Sequence, residues 1–198
     1  MSKKAIFRIA GTLTAIAVAV ALLLGVVNYF TADRIVKINQ TNTYNALRTV
    51  FPQENTDFEI IETIQVLSAE ATRHNGKLKA VYRVKNADGF GGYAIKVVAA
   101  GSQGDIEMIV GILPDCTVGG VSVISSSETS GIGTKVTNNE GGVLDHFKGA
   151  KGAGSLVVGV NVDAVSGATV STKGVTKGVN AALAVAEMLA QTDKAVFK

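Results

Sequence analysis

The stretch "DAVSGATVST", Asp163 to Thr172, precedes a long helical pattern and sets the problem of this chain. It packs an acid, two small pivots (Gly167 and Ala168) and four hydroxyls into ten residues. After it, Val175, Val179, Ala182, Leu183, Ala186 and Leu189 or Ala190 form a helical stripe. One reading is a turn whose hydroxyls cap the helix, Ser171 or Thr172 being good N-cap types. The other is an attachment point for a phosphate-bearing group. A helix aims unsatisfied N–H groups and its positive dipole end at such a turn.

Upstream, the chain reads as strands. "GKLKAVYRVKN" (76–86) alternates Leu78, Ala80, Tyr82 and Val84 toward one face. "GGYAIKVVAAG" (91–101) is a second strand, with Gly89, Gly91 and Gly92 breaking the chain before it. "GDIEMIVGIL" (104–113) is a third, with Ile106, Met108, Val110 and Ile112 together, and "GSQG" is a tight turn between them. "VGGVSVISSS" (118–127) is a fourth and "SLVVGVNV" (155–162) a short fifth. Strands bracketed by helices predict an α+β domain with an antiparallel sheet.

The N-terminus is of another kind. Ile9 to Phe30 is a run of 22 residues without a charge. At 1.5 Å per residue it spans the roughly 30 Å hydrocarbon core. A cleaved signal peptide competes with an anchor, but the exit "NYFTADR" fits a cleavage site poorly, and Tyr29 and Phe30 suit an interfacial belt. Lys3, Lys4 and Arg8 hold the short end in the cytoplasm by the positive-inside rule. The expected organisation is a cytoplasmic end (1–8), a membrane helix (9–30), a linker helix (31–52) ended by Pro52, and an extracytoplasmic domain (53–198).

Residues 31–198 hold 16 basic and 16 acidic residues, so the net charge of +3 belongs to the N-terminus. That argues against a basic nucleic-acid face. One cysteine, Cys116, allows neither a disulfide nor an iron–sulfur cluster. His74 and His146 lie far apart, and no metal site is expected. No dinucleotide fingerprint follows a strand, and no catalytic residues are expected in the chain itself.

A second stretch, "SSSETSGIGTKV" (125–136), follows the fourth strand. Gly131 and Gly133 straddle Ile132, an arrangement that lets an apolar residue pack on a flat ring. Taken alone it reads as a hairpin loop. With "GFGGYAIKVV" and "DAVSGAT", however, the chain resembles the flavin-binding domain shared by the C subunit of the sodium-pumping NADH:quinone oxidoreductase and the G subunit of the Rnf complex. The resemblance covers nearly the whole chain, and the length favours the Rnf protein.

That resemblance implies covalent FMN, its phosphate esterified to Thr169, with Asp163, Ser166, Gly167 and Ala168 completing the signal. It implies that Glu128, Thr129, Gly131 and Ile132 contact the flavin. The family's loop usually reads Glu-Thr-Pro-Gly-Leu-Gly. Here Ser130 replaces Pro and Ile132 replaces Leu, while Gly133 matches. It further implies an electron relay within an ion-translocating complex, with other membrane subunits as partners and a separate flavin transferase for maturation. The NAD and ferredoxin sites would lie elsewhere. The quinone-reductase subunit, a freestanding extracellular flavoprotein and a cofactor-free assembly subunit remain as alternatives.

Overall fold

The computed structural model describes residues 3–62, 65–87 and 89–196. Parts of the expected segments, residues 1–2, 63–64, 88 and 197–198, lie outside the described residues. The chain divides into two units, residues 1–42 and 43–198.

The first unit is helical throughout its described length, as part of α1 (Lys3–Val50). The expected membrane and linker helices are therefore one unbroken element. Neither Gly nor Pro interrupts residues 26–50, so nothing breaks the backbone ladder where the apolar run ends. The helix is long and apolar enough to cross a membrane, and Leu22, Leu23, Leu24 and Phe30 are exposed on it. It stops at Val50, two residues before Pro52.

The second unit is a five-stranded antiparallel meander, β1 (Asp57–Ile61), β2 (Gly76–Asn86), β3 (Gly89–Ala100), β4 (Asp105–Ile112) and β5 (Val118–Ser126), in the order β1-β2-β3-β4-β5. It carries α2 (Gln65–Arg73), α3 (Thr134–Thr137), a 3₁₀ segment Glu140–Phe147 and α4 (Thr169–Val196). The α+β architecture is as expected.

Both faces of the sheet are covered. Val97 and Ala99 on β3, with Ile106 and Met108 on β4, pack with Val175, Val179 and Leu183 of α4. The other face carries Val84, Ala94 and Ile109, which meet Ala46, Leu47 and Val50 at the end of α1. Alternation along β3 makes this possible, since Ala94 and Ile95 point to opposite sides. A Cβ on Gly111 would collide with Val50 and Phe51, so glycine leaves the floor on which this helix end sits.

Three expectations fail. First, Leu78 and Tyr82 do not share a face. The β2–β3 register shifts between Leu78 and Ala80, so Leu78 packs with the α4 side and Tyr82 with the α1 side. One extra residue in a strand flips the alternation after it. Second, Gly89, Gly91 and Gly92 lie inside β3, opposite a second shift at Val84/Lys85. Gly92 has φ +118° and a Cβ there would strike the Ile112 carbonyl. Third, residues 155–162 form no strand. They make a loop with one bridge, Val158 to Val162. Asn180 accepts from Leu156 N (3.2 Å) and donates to Leu156 O (2.9 Å), replacing a ladder partner. Asn161 likewise accepts from Val157 N at 2.7 Å and donates to Ser155 O at 2.9 Å.

Gly174 sets how closely α4 approaches the sheet. A Cβ there would lie 2.7 Å from the Ala100 carbonyl oxygen and 3.1 Å from Gly101 Cα. Alanine would gain about 1 kcal/mol of helix propensity. Overpacking against backbone costs about 1–3 kcal/mol. The clash wins, and Gly174→Ala should lower the melting temperature by about 3 °C. A rise in melting temperature would show that α4 has room to move away.

Candidate functional site

Two loops meet at the N-terminus of α4. Each contains a turn of the same construction. In Val165-Ser166-Gly167-Ala168, Ala168 N donates to Val165 O at 2.8 Å, and Gly167 has φ +79°. In Thr129-Ser130-Gly131-Ile132, Ile132 N donates to Thr129 O at 3.2 Å, and Gly131 has φ +74°. A positive φ at the third position is the mark of a type II turn, where glycine is the residue that fits without strain. Ser130 takes the second position, which proline also favours. The departure from Pro thus keeps the turn, and Ser166 occupies the matching place in the other loop.

The turns face each other. A Cβ on Gly167 would lie 3.9 Å from Ile132 Cγ2. Between them is a cleft of about 170 Å³, lined by residues of both loops, among them Thr129, Ile132, Gly167 and Thr169, and by Ser102 of the β3–β4 turn.

Glu128 ties these pieces together. It is buried, and its Oε1 accepts from Ser102 N at 2.7 Å and Gln103 N at 3.3 Å. Its Oε2 accepts from Ser171 Oγ at 2.5 Å. The carboxylate therefore joins the hairpin turn to the first turn of α4. Gly101 and Gly133 make room for it, since a Cβ on either would meet a Glu128 oxygen.

The hydroxyls divide by environment. Ser171 and Thr172 are buried, at 1% and 0% exposure. Neither is an N-cap, because α4 begins at Thr169 and both lie inside its first turn or just beyond. Thr172 Oγ1 instead donates to Ala168 O (3.1 Å) and accepts from Val165 N (3.3 Å), holding the turn to the helix. Ser166 and Thr169 are exposed, and of these two only Thr169 lines the cleft.

The expected site residues are thus placed as follows. Glu128, Thr129, Ile132, Gly167, Ala168 and Thr169 line the cleft. Gly131 shapes its loop, Ser166 is exposed on the other turn and Asp163 just before it, both outside the lining. Ser102, Val170 and Ser171 also line it, although the sequence does not mark them as ligands. "GSQG" carries only a turn signal, and nothing in its composition points to a residue 26 positions away. The hairpin loop that residues 125–136 suggest when taken alone does not form: β5 leads instead into α3, and Gly131 N donates to Thr134 Oγ1 at 2.8 Å. Among the described residues no group of His, Cys, Asp and Glu could hold a metal ion.

Residues 101–184 match the family model of the FMN-binding domain, and residues 1–50 match that of the RnfG N-terminal region. The chain is 31% identical over 201 residues to the G subunit of the sodium-translocating ferredoxin:NAD oxidoreductase complex of Acetobacterium woodii, covering 95% of each. It belongs to the RnfG family. The counterpart in Clostridium ljungdahlii, 32% identical over 130 residues (62% of this chain, 69% of that one), is named for a proton-translocating complex. The crystal structure of Shewanella oneidensis NqrC aligns with 59% of this chain and 61% of its own, at 28% identity and a TM-score of 0.47. The FMN-binding match encloses both facing turns, the Glu128 tie and the first four turns of α4.

The cleft fits such a group in its chemistry. It offers an exposed hydroxyl, half-exposed apolar side chains in Ile132 and Val170, and a helix N-terminus. An anion is favoured at that end of a helix.

Proposed function

We propose that this chain carries FMN joined through its phosphate to Thr169, and relays electrons within a membrane-bound ferredoxin:NAD oxidoreductase complex of the Rnf type. The observation that carries the reading is the sorting of the hydroxyls. Within Ser166–Thr172, Thr169 is the exposed one that lines the cleft, whereas Ser171 and Thr172 are buried and bonded. FMN can exchange electrons singly, which suits a relay, and attachment through its phosphate leaves the ring unaltered.

The chain's own part is to hold and orient. The two type II turns set the width of the cleft, Thr129 offers a hydroxyl to the flavin, and Ile132 supplies an apolar surface for the ring. Attachment needs help from outside. Thr169 Oγ1 must form a bond to the FMN phosphorus while the bond to AMP in an FAD donor breaks and the hydroxyl proton leaves. A neutral hydroxyl is a weak nucleophile without a base. Glu128 lines the same cleft but already accepts three hydrogen bonds. The base is therefore assigned to a separate flavin transferase, and the NAD and ferredoxin sites to other subunits.

Peptide mass mapping after expression in a host with the transferase tests this. One FMN is expected on Thr169, and FMN on Ser171 or Thr172 would overturn the reading. Retained yellow colour after denaturation separates a covalent flavoprotein from a cofactor-free assembly subunit.

Ile132→Asp should keep the flavin and lower its midpoint potential. A carboxylate beside the ring opposes an added electron by an energy of order 1 kcal/mol. For a one-electron couple roughly 59 mV corresponds to each 1.4 kcal/mol. An unchanged potential in folded, flavinylated protein would remove this loop from the ring.

The soluble unit is assigned to the extracytoplasmic side, with Lys4 and Arg8 on the cytoplasmic side of the apolar run. Protease added to intact cells with a permeable envelope should digest it. Digestion confined to inside-out vesicles would reverse the orientation.

A further inference from the structure

We infer that Lys173 is the counter-ion of the phosphate joined to Thr169, an assignment that rests on the attachment reading above.

The exposed residues of the first three turns of α4 fall at Thr169, Val170, Lys173 and Lys177, with buried residues between them. Thr169 and Lys173 are four apart, so their Cβ atoms are neighbours about 6 Å apart on one face. Helical side chains lean toward the N-terminus. From this position the four-carbon stem of Lys173 is long enough to bring its ammonium to the Thr169 hydroxyl. Lys177 is a further turn away and reaches only to Lys173. Among the described residues neither lysine makes an ion pair.

The cleft itself creates the need for a cation. It already holds the buried Glu128 carboxylate beside Ser171, two residues from the attachment point. A phosphodiester on Thr169 would bring a second negative charge to the same cleft. The first backbone N–H groups of a helix have no intrahelical acceptor and supply partial positive charge. They do not balance two anions. Lys135 is exposed on α3 and lies outside the cleft lining. Lys173 is the cation that α4 itself aims at the phosphate.

The test uses the full-length chain coexpressed with a flavin transferase, as parent, K173Q, K173E, K173R and K177Q. Two quantities are read: the rate of FMN attachment by intact mass, and the ³¹P resonance of the phosphodiester in detergent-solubilised protein. An exposed ion pair changes an equilibrium or rate by up to about fivefold. K173Q should therefore slow attachment about threefold and K173E about tenfold. The ³¹P resonance should move in K173Q and return to the parent position in K173R, while K177Q leaves both readouts unchanged. A K173Q protein with parental rate and resonance overturns the assignment, as does K177Q behaving like K173Q. Slowed attachment with an unmoved resonance also overturns it, and assigns Lys173 to docking of the transferase. A parent without FMN on Thr169 overturns the attachment reading itself, and so is told apart from failure of the counter-ion.

Discussion

Thr169→Val should give a folded protein that carries no flavin. The two halves of this result have separate causes. Valine removes the only atom that can bond to the phosphorus, so loss of FMN should be complete by intact mass. The fold should not notice. Thr169 is exposed, and among the described residues its hydroxyl makes no hydrogen bond. Substitutions at such positions change stability by about 0.5 kcal/mol or less. Thr172→Val, three residues on, should do the reverse. Thr172 is fully buried and its hydroxyl serves both Ala168 O and Val165 N. Ala168 O keeps the Thr172 backbone N–H at 2.9 Å, but Val165 N loses its acceptor. An unpaired donor costs about 1–3 kcal/mol, yet the flavin should remain on Thr169. The pair of variants separates chemistry from architecture within one turn of helix. Flavin retained in Thr169→Val would move the attachment elsewhere.

Glu128→Ala should be the most destabilising single change at the site. Three donors converge on this buried carboxylate, two from the β3–β4 turn and one from α4. Hydrogen bonds to a charged group contribute about 1.5–3 kcal/mol each, and less where water can replace the partner. Ser102 and Gln103 are exposed residues whose N–H groups water can reach, whereas Ser171 is buried. A total near 3 kcal/mol follows, with a melting temperature about 9 °C lower for a domain of this size. The cavity left beside Gly101 and Gly133 adds to the loss. Glu128→Gln should fall between, because an amide oxygen still accepts from Ser102 and the amide nitrogen can donate to Ser171 Oγ. A melting temperature for Glu128→Ala within 1 °C of the parent would mean that the three contacts contribute little. The position also bears on function. With the tie removed, α4 can drift from the hairpin and carry Thr169 away from Ile132.

Glu128 illustrates how the site divides between what is readable from the chain and what is not. Family resemblance marks the acid as a flavin contact, and its surroundings in the fold are the two backbone amides and a serine hydroxyl. Its distance in sequence from Ser102 and Ser171, 26 and 43 residues, hides that role from any local reading.

Local chemistry alone settled the elements whose residues need no distant partner. The charge-free run from Ile9 to Phe30 is helical because that many apolar residues satisfy their backbone within the segment. The alternation of Ile106, Met108, Val110 and Ile112 makes β4 a strand with one face turned to α4. Gly167 declares its turn, and the stripe from Val175 to Leu189 declares the buried side of α4. Tertiary structure decided the rest. The bulge that sends Leu78 and Tyr82 to opposite faces reflects packing of two helices on one sheet. Residues 155–162 look like a strand by composition, but in the fold the side chains of Asn161 and Asn180 take up their backbone groups. β1, with most of its side chains exposed, and α2, with two buried residues, have too little apolar pattern to be seen before the sheet exists. The meeting of the two serine–glycine turns was decided in the same way. It depends on α4 lying across the sheet at the distance Gly174 permits, a geometry that comes from long-range packing and from no residue in either turn.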